Sequence, residues 1–240
     1  MKDIVIIGTE NIGKEVVKII EAINSKRNTW NVLGFISLKK DEALSNIEGY
    51  SVLGSIDSMF NYFEGRKKDK FYFFKKLESQ NELFTIIAID NCKLKKEIED
   101  KLKDKIKFAT IIHPDITFFN KQEVGEGTII YPGLISVGRF KLGKHVILKQ
   151  KCSLGNNIEI GDYSFISFNS NIDSNVMVKE GAYIEANTTI LANNNIDKNI
   201  GKNTGREAFD VKKFFCYSEL NYGKQEYKSV WILKWEKLSK

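Results

Sequence analysis

The sequence is poor in cysteine and has no long apolar run. The 240-residue chain holds three cysteines, Cys92, Cys152 and Cys216. They are isolated, odd in number and without metal-ligand spacing, which is typical of a protein from a reducing cytoplasm and predicts no metal site. The apolar runs stay short, and Asp3 opens the first of them, so we expect neither a signal peptide nor a membrane span.

The chain is mildly basic, with a net charge of +6 and an isoelectric point near 9.0. Most basic residues are lysines scattered among acidic ones, as in residues 93–107, a pattern typical of solvated surface. No nucleic-acid-binding motif accompanies the charge, so we expect no nucleic acid partner. The frequent lysine, asparagine and isoleucine are interpreted as compositional bias without functional meaning.

A period of six residues runs from Ile112 to about Gly201. Stepping in sixes from Ile112, fourteen of fifteen positions are apolar and only Ser136 is not. A helix repeats near 3.6 residues and a strand at 2, so neither explains the spacing. Three short strands with three corners make one turn of a parallel β-helix, and the stretch holds about five turns of eighteen residues. An evenly spaced β-sandwich would not keep one phase so long.

Two further sets of residues follow the same period. Small or β-branched side chains lie mostly four positions after the row, at Thr128, Val146, Cys152, Ser164, Ser170, Val176, Ala182 and Thr188. Glycines directly follow several row positions, at Gly125, Gly143, Gly155 and Gly161. We expect tight corners at these glycines, where a residue without a Cβ is needed.

The first hundred residues have the pattern of a small parallel sheet. Residues 3–7 form a buried-strand run, a helical pattern with one apolar side follows from Ile12 to Ile23, and residues 31–36 are a second strand. This β–α–β unit is of the Rossmann kind. Further strands are predicted at 71–74, 84–89 and 108–112, and a charged helix at about 93–105. The stretch between Ser55 and Leu83 is ambiguous, and residues 61–70 within it are polar enough to be a loop.

The turn after the first strand has two interpretations. Glycines here let a backbone approach a pyrophosphate at a helix N-terminus. Only Gly8 and Gly13 remain of such a turn, and the Glu10 carboxylate between them would favour the helix end by itself and repel a phosphate. The glycines therefore indicate a tight turn with close helix–sheet packing, with nucleotide binding as the alternative.

These features together resemble a known family, the bacterial sugar acetyltransferases. The segment Ile112-His113-Pro114 joins the Rossmann-like start to the six-residue repeats, and shorter echoes lie at 34–35, 52–54, 124–128 and 160–163. Over residues 3–203 the chain is similar to the sialic acid O-acetyltransferases and to the N-acetyltransferases of nucleotide-linked 4-amino sugars. The resemblance implies an α/β Rossmann-like domain at 1–110, a left-handed β-helix of about five coils at 111–204, and a C-terminal aromatic and basic extension at 205–240.

The resemblance also implies a mechanism. Family members are trimers whose active sites lie in grooves between subunits, with acetyl-CoA along the β-helix and the nucleotide of the sugar substrate on the Rossmann-like domain. A histidine, oriented by a carboxylate, acts as general base, and backbone N–H groups stabilise the oxyanion. An imidazole suits this role because its pKa lies near the working pH.

The family's site residues fall on substituted positions of this chain. Asn156 and Asn157 stand where the family has its histidine and acid, and are the candidate catalytic residues. The position of the glycine whose N–H meets the thioester falls at Ser174, so its backbone N–H is the candidate acetyl-CoA contact. The candidate substrate-binding residues are Gly8, Gly13 and Ser37. A second family histidine falls on Phe165.

Few other residues in the repeats can replace the missing base. His113 lies in the entry turn, where it is expected to cap or hydrogen-bond locally. His145 is at a corner, but it is eleven residues from Asn156 and not eighteen, so it falls on another edge of the prism; a neighbouring subunit's His145 is the remaining alternative. Cys152 is expected to be a buried packing thiol. Asn156 cannot take up a proton, yet it can position an amine or a water.

After Gly205 the period stops and aromatic residues alternate with lysines. A short amphipathic helix is predicted at 230–238. We expect the extension to cover the open end of the β-helix; the alternative is a membrane-surface anchor or partner-docking tail. The sequence as a whole favours a cytoplasmic, homotrimeric acyltransferase-like protein of surface-sugar biosynthesis, with acetyl-CoA and a nucleotide-linked amino sugar as substrates. A catalytically silent scaffold that binds a sugar or a partner is the alternative function.

Overall fold

The structure, a computed structural model, describes residues 1–39, 45–65, 83–118 and 122–197. The strand predicted at 71–74 and the whole C-terminal extension, including the helix predicted at 230–238, lie outside the described residues. Met1–Arg206 cluster as one compact unit. The boundary predicted between 110 and 111 falls inside that unit.

The N-terminal region is the predicted Rossmann-like α/β domain. Its elements in chain order are β1 Lys2–Ile7, α1 Asn11–Lys26, β2 Trp30–Ser37, β3 Asn46–Ile47, β4 Tyr50–Ser55, α2 Ile56–Phe63, β5 Leu83–Ile87, α3 Cys92–Leu102 and β6 Lys107–Phe108. The sheet order is β3-β4-β2-β1-β5-β6, and every pairing except β3 with β4 is parallel. The chain order therefore reverses at β1, between β2 and β5.

Two predicted boundaries in this domain are wrong. Helix α2 continues to Phe63, into the polar stretch predicted to be a loop from residue 61. The strand predicted at 108–112 is two strands, β6 and β7 (Ile111–Ile112), which belong to different sheets. The chain leaves the Rossmann-like sheet and enters the β-helix within these few residues, so an apolar run that looks continuous serves two cores.

From β7 onward the chain forms the predicted left-handed parallel β-helix. The remaining strands are β8 Thr117–Phe118, β9 Glu123–Val124, β10 Ile129–Ile130, β11 Ile135–Ser136, β12 Phe140–Leu142, β13 Ile147–Leu148, β14 Ser153–Leu154, β15 Ile158–Ile160, β16 Phe165–Ile166, β17 Asn171–Ile172, β18 Met177–Val178, β19 Tyr183–Ile184, β20 Thr189–Ile190 and β21 Asn195–Ile196. They form three five-stranded sheets, so the described prism has five coils.

We name the three sheets and the corners that follow them. Face 1 is β7-β10-β13-β16-β19, face 2 is β8-β11-β14-β17-β20 and face 3 is β9-β12-β15-β18-β21. The first corner, after face 1, comprises residues 131–133, 149–151, 167–169 and 185–187. The second corner, after face 2, comprises 137–139, 155–157, 173–175 and 191–193. The third corner, after face 3, comprises 125–127, 143–145, 161–163 and 179–181. Stacked residues are eighteen apart, as in Ile129 beside Ile147.

The six-residue row lies on the inside of the prism. Its aliphatic residues make one continuous core together with Val146, Cys152 and Val176. These three belong to the small or β-branched residues that lie four positions after the row. The polar exception, Ser136, is fully buried and donates its hydroxyl to the Gly138 carbonyl at 3.2 Å. That hydrogen bond satisfies the hydroxyl, which explains how a polar residue is tolerated in the row.

The corners use two kinds of residue for two physical reasons. Glycines such as Gly125 and Gly143 are needed because the next coil is too close: a Cβ on Gly125 would lie 2.4 Å from the Gly143 carbonyl oxygen. Two residues further on, the backbone enters the left-handed region, with φ of 70° at Gly127 and 53° at His145. The same conformation recurs at every sixth residue from Gly127 to Asn193 except Arg139, and asparagine occupies many of these positions because it tolerates positive φ well. These are Asn157, Asn169, Asn175, Asn187 and Asn193.

The N-terminal domain covers face 1. The outward residues Ile129, Ile147 and Phe165 of that face share a core with Val16 and Ile20 of α1. Polar contacts lie at the edge of this interface, where the Tyr131 hydroxyl donates to Glu15 at 2.6 Å and Lys149 also reaches that carboxylate. The domain and the β-helix are therefore joined by an extensive apolar contact.

The helices within residues 1–39, 45–65, 83–118 and 122–197 do not have the dimensions of a membrane span. Not one of them is both long and apolar enough to cross a bilayer.

Candidate functional site

Asn156 lies at the second corner and is exposed to solvent. Its backbone N–H donates to the Ser174 hydroxyl at 3.1 Å, and its Oδ1 accepts the Arg139 N–H at 3.0 Å. The side chain lies over Gly138, where a Cβ would be only 2.5 Å from Oδ1. The two bonds join Asn156 to the coils on either side of it. The second bond directs the side-chain oxygen to the backbone of the preceding coil. The side-chain NH₂ is left as the group that can meet a substrate, and it is a donor only.

Asn157 has a structural role that the sequence did not reveal. Its φ is 58°, and its Nδ2 donates to Asn175 Oδ1 at 3.0 Å. Asn175 in turn donates to Asn193 at 3.2 Å, so the three form a ladder along the second corner. The same residue also borders a groove of about 550 Å³ on face 3 whose lining includes Arg139 and Lys141. Asn157 therefore serves the turn and faces the groove at once.

Ser174 is one coil above Asn156, but its backbone N–H is occupied. It donates to Oδ1 of the preceding residue, Asp173, at 2.6 Å. For this amide to meet a thioester oxygen, the Asp173 carboxylate has to turn away. The predicted acetyl-CoA contact through Ser174 therefore stays a prediction that requires this rearrangement.

Close packing explains why glycine occupies positions 8 and 13. Gly8 has a φ of 114°, and a Cβ there would lie 2.6 Å from the Ala88 carbonyl oxygen. A Cβ on Gly13 would lie 2.0 Å from the Gly8 carbonyl oxygen. The turn that follows β1 is thus pressed against both α1 and the end of β5, which is the tight-turn interpretation of the two glycines.

A crevice of about 250 Å³ nevertheless opens at this turn. Its lining residues are Gly8, Thr9, Glu10, Asn11, Ile12, Leu38, Lys39, Ala88, Ile89, Asp90, Asn91 and Leu94. These residues lie at the carboxyl ends of β1, β2 and β5, where the strand order reverses. Open α/β sheets bind their ligands at such a point. The N-termini of α1 and α3 border the same crevice and offer backbone N–H groups.

Charged side chains sit at the mouth of this crevice. Glu10 is the N-cap residue of α1 but makes no side-chain hydrogen bond to the helix. It pairs instead with Lys39 at 3.3 Å, and both side chains are largely exposed. Ser37, the predicted substrate contact, is fully buried and accepts the Lys39 N–H at 2.9 Å. Leu38 and Lys39 line the crevice. Ser37 is not part of the lining and contributes through its hydrogen bond to the Lys39 backbone.

A buried polar cluster at the third corner was not predicted. Lys95 and Glu99, one helical turn apart on α3, are 0% and 3% exposed, so the interpretation of residues 93–107 as solvated surface is wrong for them. The Lys95 ammonium donates to the His145 carbonyl at 2.9 Å, and the Tyr163 hydroxyl donates to Glu99. Burial is the main cause that lowers the pKa of Lys95 to about 8.

His145 is the centre of this cluster and is 1% exposed. Its ring packs edge-on against Phe108 and is stacked on Tyr163. Burial, with a smaller contribution from Lys95 and Lys144, lowers its pKa to about 3. An imidazole enclosed in this way cannot reach a neighbouring subunit's groove, so the suggestion that a second copy supplies His145 as the base is wrong.

The remaining nucleophile and base candidates behave as predicted. His113 Nδ1 accepts the Asp115 N–H at 3.0 Å, the local hydrogen bond expected in the entry turn. Cys152 is 1% exposed, and burial raises the pKa of its thiol to about 11. It is therefore a packing residue and not a nucleophile at neutral pH.

Comparisons with known proteins identify relatives by structure only. No protein-family model matches the sequence, and no curated protein matches it significantly. WeeI from Acinetobacter baumannii superimposes with a TM-score of 0.62 and 20% identity, over 80% of this chain and 81% of WeeI. The acetyltransferase domain of PglB from Neisseria gonorrhoeae gives 0.56 and 18%, over 82% and 94%.

A third structure was solved with both of its ligands. It is a histidine-to-alanine variant of GDP-perosamine N-acetyltransferase from Caulobacter crescentus, in complex with CoA and GDP-perosamine. It superimposes with a TM-score of 0.55 and 16% identity, over 82% of this chain and 91% of that one. The chain thus has the fold of these proteins from the Rossmann-like sheet through the β-helix.

Proposed function

We propose that this protein transfers an acetyl group from CoA to an amino or hydroxyl group of a nucleotide-linked sugar. The observation that carries the proposal is the shared architecture, which extends over about four fifths of this chain and at least that share of each relative compared. Among these relatives, one holds CoA and a nucleotide-linked amino sugar together. A crevice at the strand-order reversal and an exposed β-helix corner are the two surfaces that such a pair of substrates requires.

Acetyl transfer to an amine depends more on the positioning of the amine and the thioester than on a strong base. An amine attacks the thioester carbonyl, a tetrahedral oxyanion forms, and the CoA thiolate leaves. Asn156 can orient the attacking group or donate its NH₂ to a developing negative charge, while Asn157 supports it from the groove side. General base catalysis contributes about 10²–10⁴-fold, so an amine that arrives neutral can still react without an imidazole.

The nucleotide end of the substrate is proposed to lie in the crevice beside Gly8 and Gly13. There the α1 N-terminus can meet a phosphate through its backbone N–H groups. The Glu10 carboxylate would repel this phosphate. Glu10 is paired with Lys39, and the Lys39 ammonium could bind the phosphate in place of the Glu10 carboxylate. Ser37 fixes the Lys39 backbone and so contributes indirectly.

We propose a homotrimer that works in the cytoplasm. Face 1 is covered by the N-terminal domain, whereas face 2 and its following corner expose apolar side chains. Ile135 is 52%, Val137 65% and Leu191 45% exposed. Subunits packed through this surface would place the second corner, and with it Asn156, in a groove between copies. The cytoplasmic location is in keeping with the free thiols of Cys92 and Cys152.

The test is an acetyl-transfer assay. The purified protein is mixed with acetyl-CoA and a panel of nucleotide-linked amino sugars, and free thiol is followed together with the mass of the acetylated sugar. Sugar-dependent thiol release supports the enzyme. The double variant Asn156→His, Asn157→Asp should accelerate the release, because it supplies an imidazole and its orienting carboxylate at the second corner.

A matched control places the same pair of side chains at another corner. Ala186 and Asn187 occupy the positions of the first corner that correspond to Asn156 and Asn157, and Asn187 has the same φ of 58° as Asn157. The double variant Ala186→His, Asn187→Asp therefore introduces the same two side chains, with an equal change of charge, on a different edge of the prism. It should leave the rate of acetyl transfer unchanged.

The outcomes separate the two functions. No thiol release, no measurable CoA binding, and no recovery of either by the Asn156→His, Asn157→Asp variant would favour a silent scaffold. If the first-corner variant accelerates transfer as much as the second-corner variant does, the effect does not come from the second corner. A mass measurement under native conditions tests the trimer independently of activity.

A further inference from the structure

We infer that Asp173 is the proton acceptor of the acetyl transfer. The inference rests on the proposed function, because it assigns a residue to that reaction. Asp173 is exposed at the second corner, directly before Ser174, whose backbone and side chain are both engaged with this site. Asp173 lies on the coil that follows the one carrying Asn156. Asn156 is the residue at the position of the histidine expected from the family resemblance.

Ionisable groups are scarce along this corner. Its twelve described residues are Val137, Gly138, Arg139, Gly155, Asn156, Asn157, Asp173, Ser174, Asn175, Leu191, Ala192 and Asn193. Of these twelve, only Arg139 and Asp173 are ionisable. Arginine stays protonated in proteins, so it cannot accept a proton. Within this corner, Asp173 is left as the one group that can take up a proton from a substrate.

Two hydrogen bonds link Asp173 to Asn156 through Ser174. Ser174 donates its backbone N–H to Asp173 Oδ1 at 2.6 Å, and its hydroxyl accepts the Asn156 N–H at 3.1 Å. One serine therefore connects the carboxylate to the asparagine across neighbouring coils, which are about 4.8 Å apart in a β-sheet. With Oδ1 held in this way, Oδ2 is the oxygen that can face a substrate.

Other carboxylates near the site are less suitable. Glu123 and Glu159 lie on face 3 in the same cross-strand row as Lys141, which stands between them in register. Lys141 is thus a cross-strand neighbour of opposite charge for both glutamates, and neither glutamate lies on the corner that carries Asn156. Glu99 is buried at the third corner, under α3.

The chemistry favours an amine as the attacking group. Its nitrogen lone pair forms the C–N bond, and the carbonyl electrons move to oxygen. Nitrogen then carries a positive charge, and its proton passes to Asp173 Oδ2. The oxyanion re-forms the carbonyl as the C–S bond breaks, its electron pair stays on sulfur, and the proton leaves Asp173 for the thiolate or for water. This charged nitrogen is far more acidic than a neutral hydroxyl, so a carboxylate is better matched to an amine than to an alcohol as the attacking group.

The test is the change Asp173→Asn in the full-length protein. The amide keeps an oxygen for the Ser174 N–H and removes the basic group. We expect kcat with an amino sugar to fall about 10²-fold or more, with the KM for acetyl-CoA little changed. Asp173→Glu should restore part of the rate.

Controls make a negative result informative. Asp104→Asn removes an exposed carboxylate from the N-terminal domain and should leave the rate unchanged. Thermal unfolding and CoA binding of Asp173→Asn show whether the variant is folded. A folded Asp173→Asn variant with the wild-type kcat toward the amino sugar overturns the inference and leaves the proposed function standing. The absence of transfer by the wild-type protein to every acceptor overturns both.

Discussion

Two corners of the same β-helix differ in a way that the repeat itself does not dictate. The third corner carries His145 and Tyr163 and receives Lys95 and Glu99 from α3, so most of the residues suited to acid–base chemistry meet there. The second corner carries asparagines and, among its described residues, the single carboxylate Asp173. Yet the third corner is closed by the N-terminal domain at these side chains, and the second is open to solvent.

The difference shows that accessibility decides which residues can act on a substrate. His145 is an imidazole, the usual general base of acetyl transfer, but its burial lowers its pKa to about 3 and keeps substrates away. It fills a space against Phe108 and Tyr163. Asp173 is a carboxylate, but it is exposed to solvent. Chemical type alone would have selected a corner whose imidazole is buried.

The largest expected effect comes from forcing the third corner apart. Gly127 has a φ of 70°, and a Cβ there would lie 2.3 Å from the His145 ring. Gly127→Ala combines left-handed strain of about 1–2 kcal/mol with an overpacking cost of about 1–3 kcal/mol. Gly133→Ala is the matched control, since its φ is 78° but its nearest neighbour, the Lys151 side chain, is 3.4 Å away. Equal losses in denaturant unfolding would contradict the tight contact at His145.

The next largest effect is a loss of folding stability at acidic pH, caused by His145 at the third corner. The folded pKa of His145 is about 3 against an ordinary 6.5, so between these values the unfolded chain binds a proton that the native state does not. Stability is therefore lost as pH falls through this window, by about 3 kcal/mol at pH 4. His145→Asn removes the titrating group and suits the left-handed backbone. Its unfolding free energy should fall less steeply with acid than that of the wild type.

His113 provides the comparison for that measurement. Burial lowers its pKa as well, but less of the ring is enclosed. His113→Asn should flatten the acid dependence less than His145→Asn does. If the two variants behave alike, the enclosure of His145 is not the source of the acid sensitivity.

The smallest effect is expected at the second corner, in the asparagine ladder. Asn175 has a φ of 57° and connects Asn157 to Asn193. Asn175→Gly keeps the left-handed turn and loses only exposed side-chain hydrogen bonds, for about 0.5 kcal/mol. Asn175→Ala adds the left-handed strain, about 1 kcal/mol more. Thermal unfolding of both variants measures the difference, and an equal loss would mean that the backbone conformation is not what asparagine provides here.

Much of the fold was predictable because its contacts are repetitive. Residues eighteen apart stack on each other, so a period of six from Ile112 to Ile196 contains the strands, the core and the corners. The β–α–β start was readable from the apolar side of α1 and the turn at Gly8. The frequent asparagines were misread as compositional bias, although their recurrence at multiples of six residues, at Asn157, Asn169 and Asn175, was the available signal.

The candidate site was predicted less completely. The family resemblance singled out Asn156, but it gave no sign that Asp173 occupies the Ser174 N–H. Nor could it show that Lys95 and Glu99 are buried, because α3 is rich in lysine on all sides and its pattern does not reveal which face meets the β-helix. Such contacts depend on how two separately encoded elements dock.

The sequence by itself determined the coil, since each turn packs only on its neighbours and a local period is enough to specify that packing. Tertiary structure decided which corner of the prism is free. Lys95 meets the His145 carbonyl across fifty positions of the chain, and this long-range docking of α3 closes one edge and leaves Asn156 and Asp173 at the open one. Spacing in the sequence could not supply that choice, because the three edges repeat alike until another part of the chain packs against one of them.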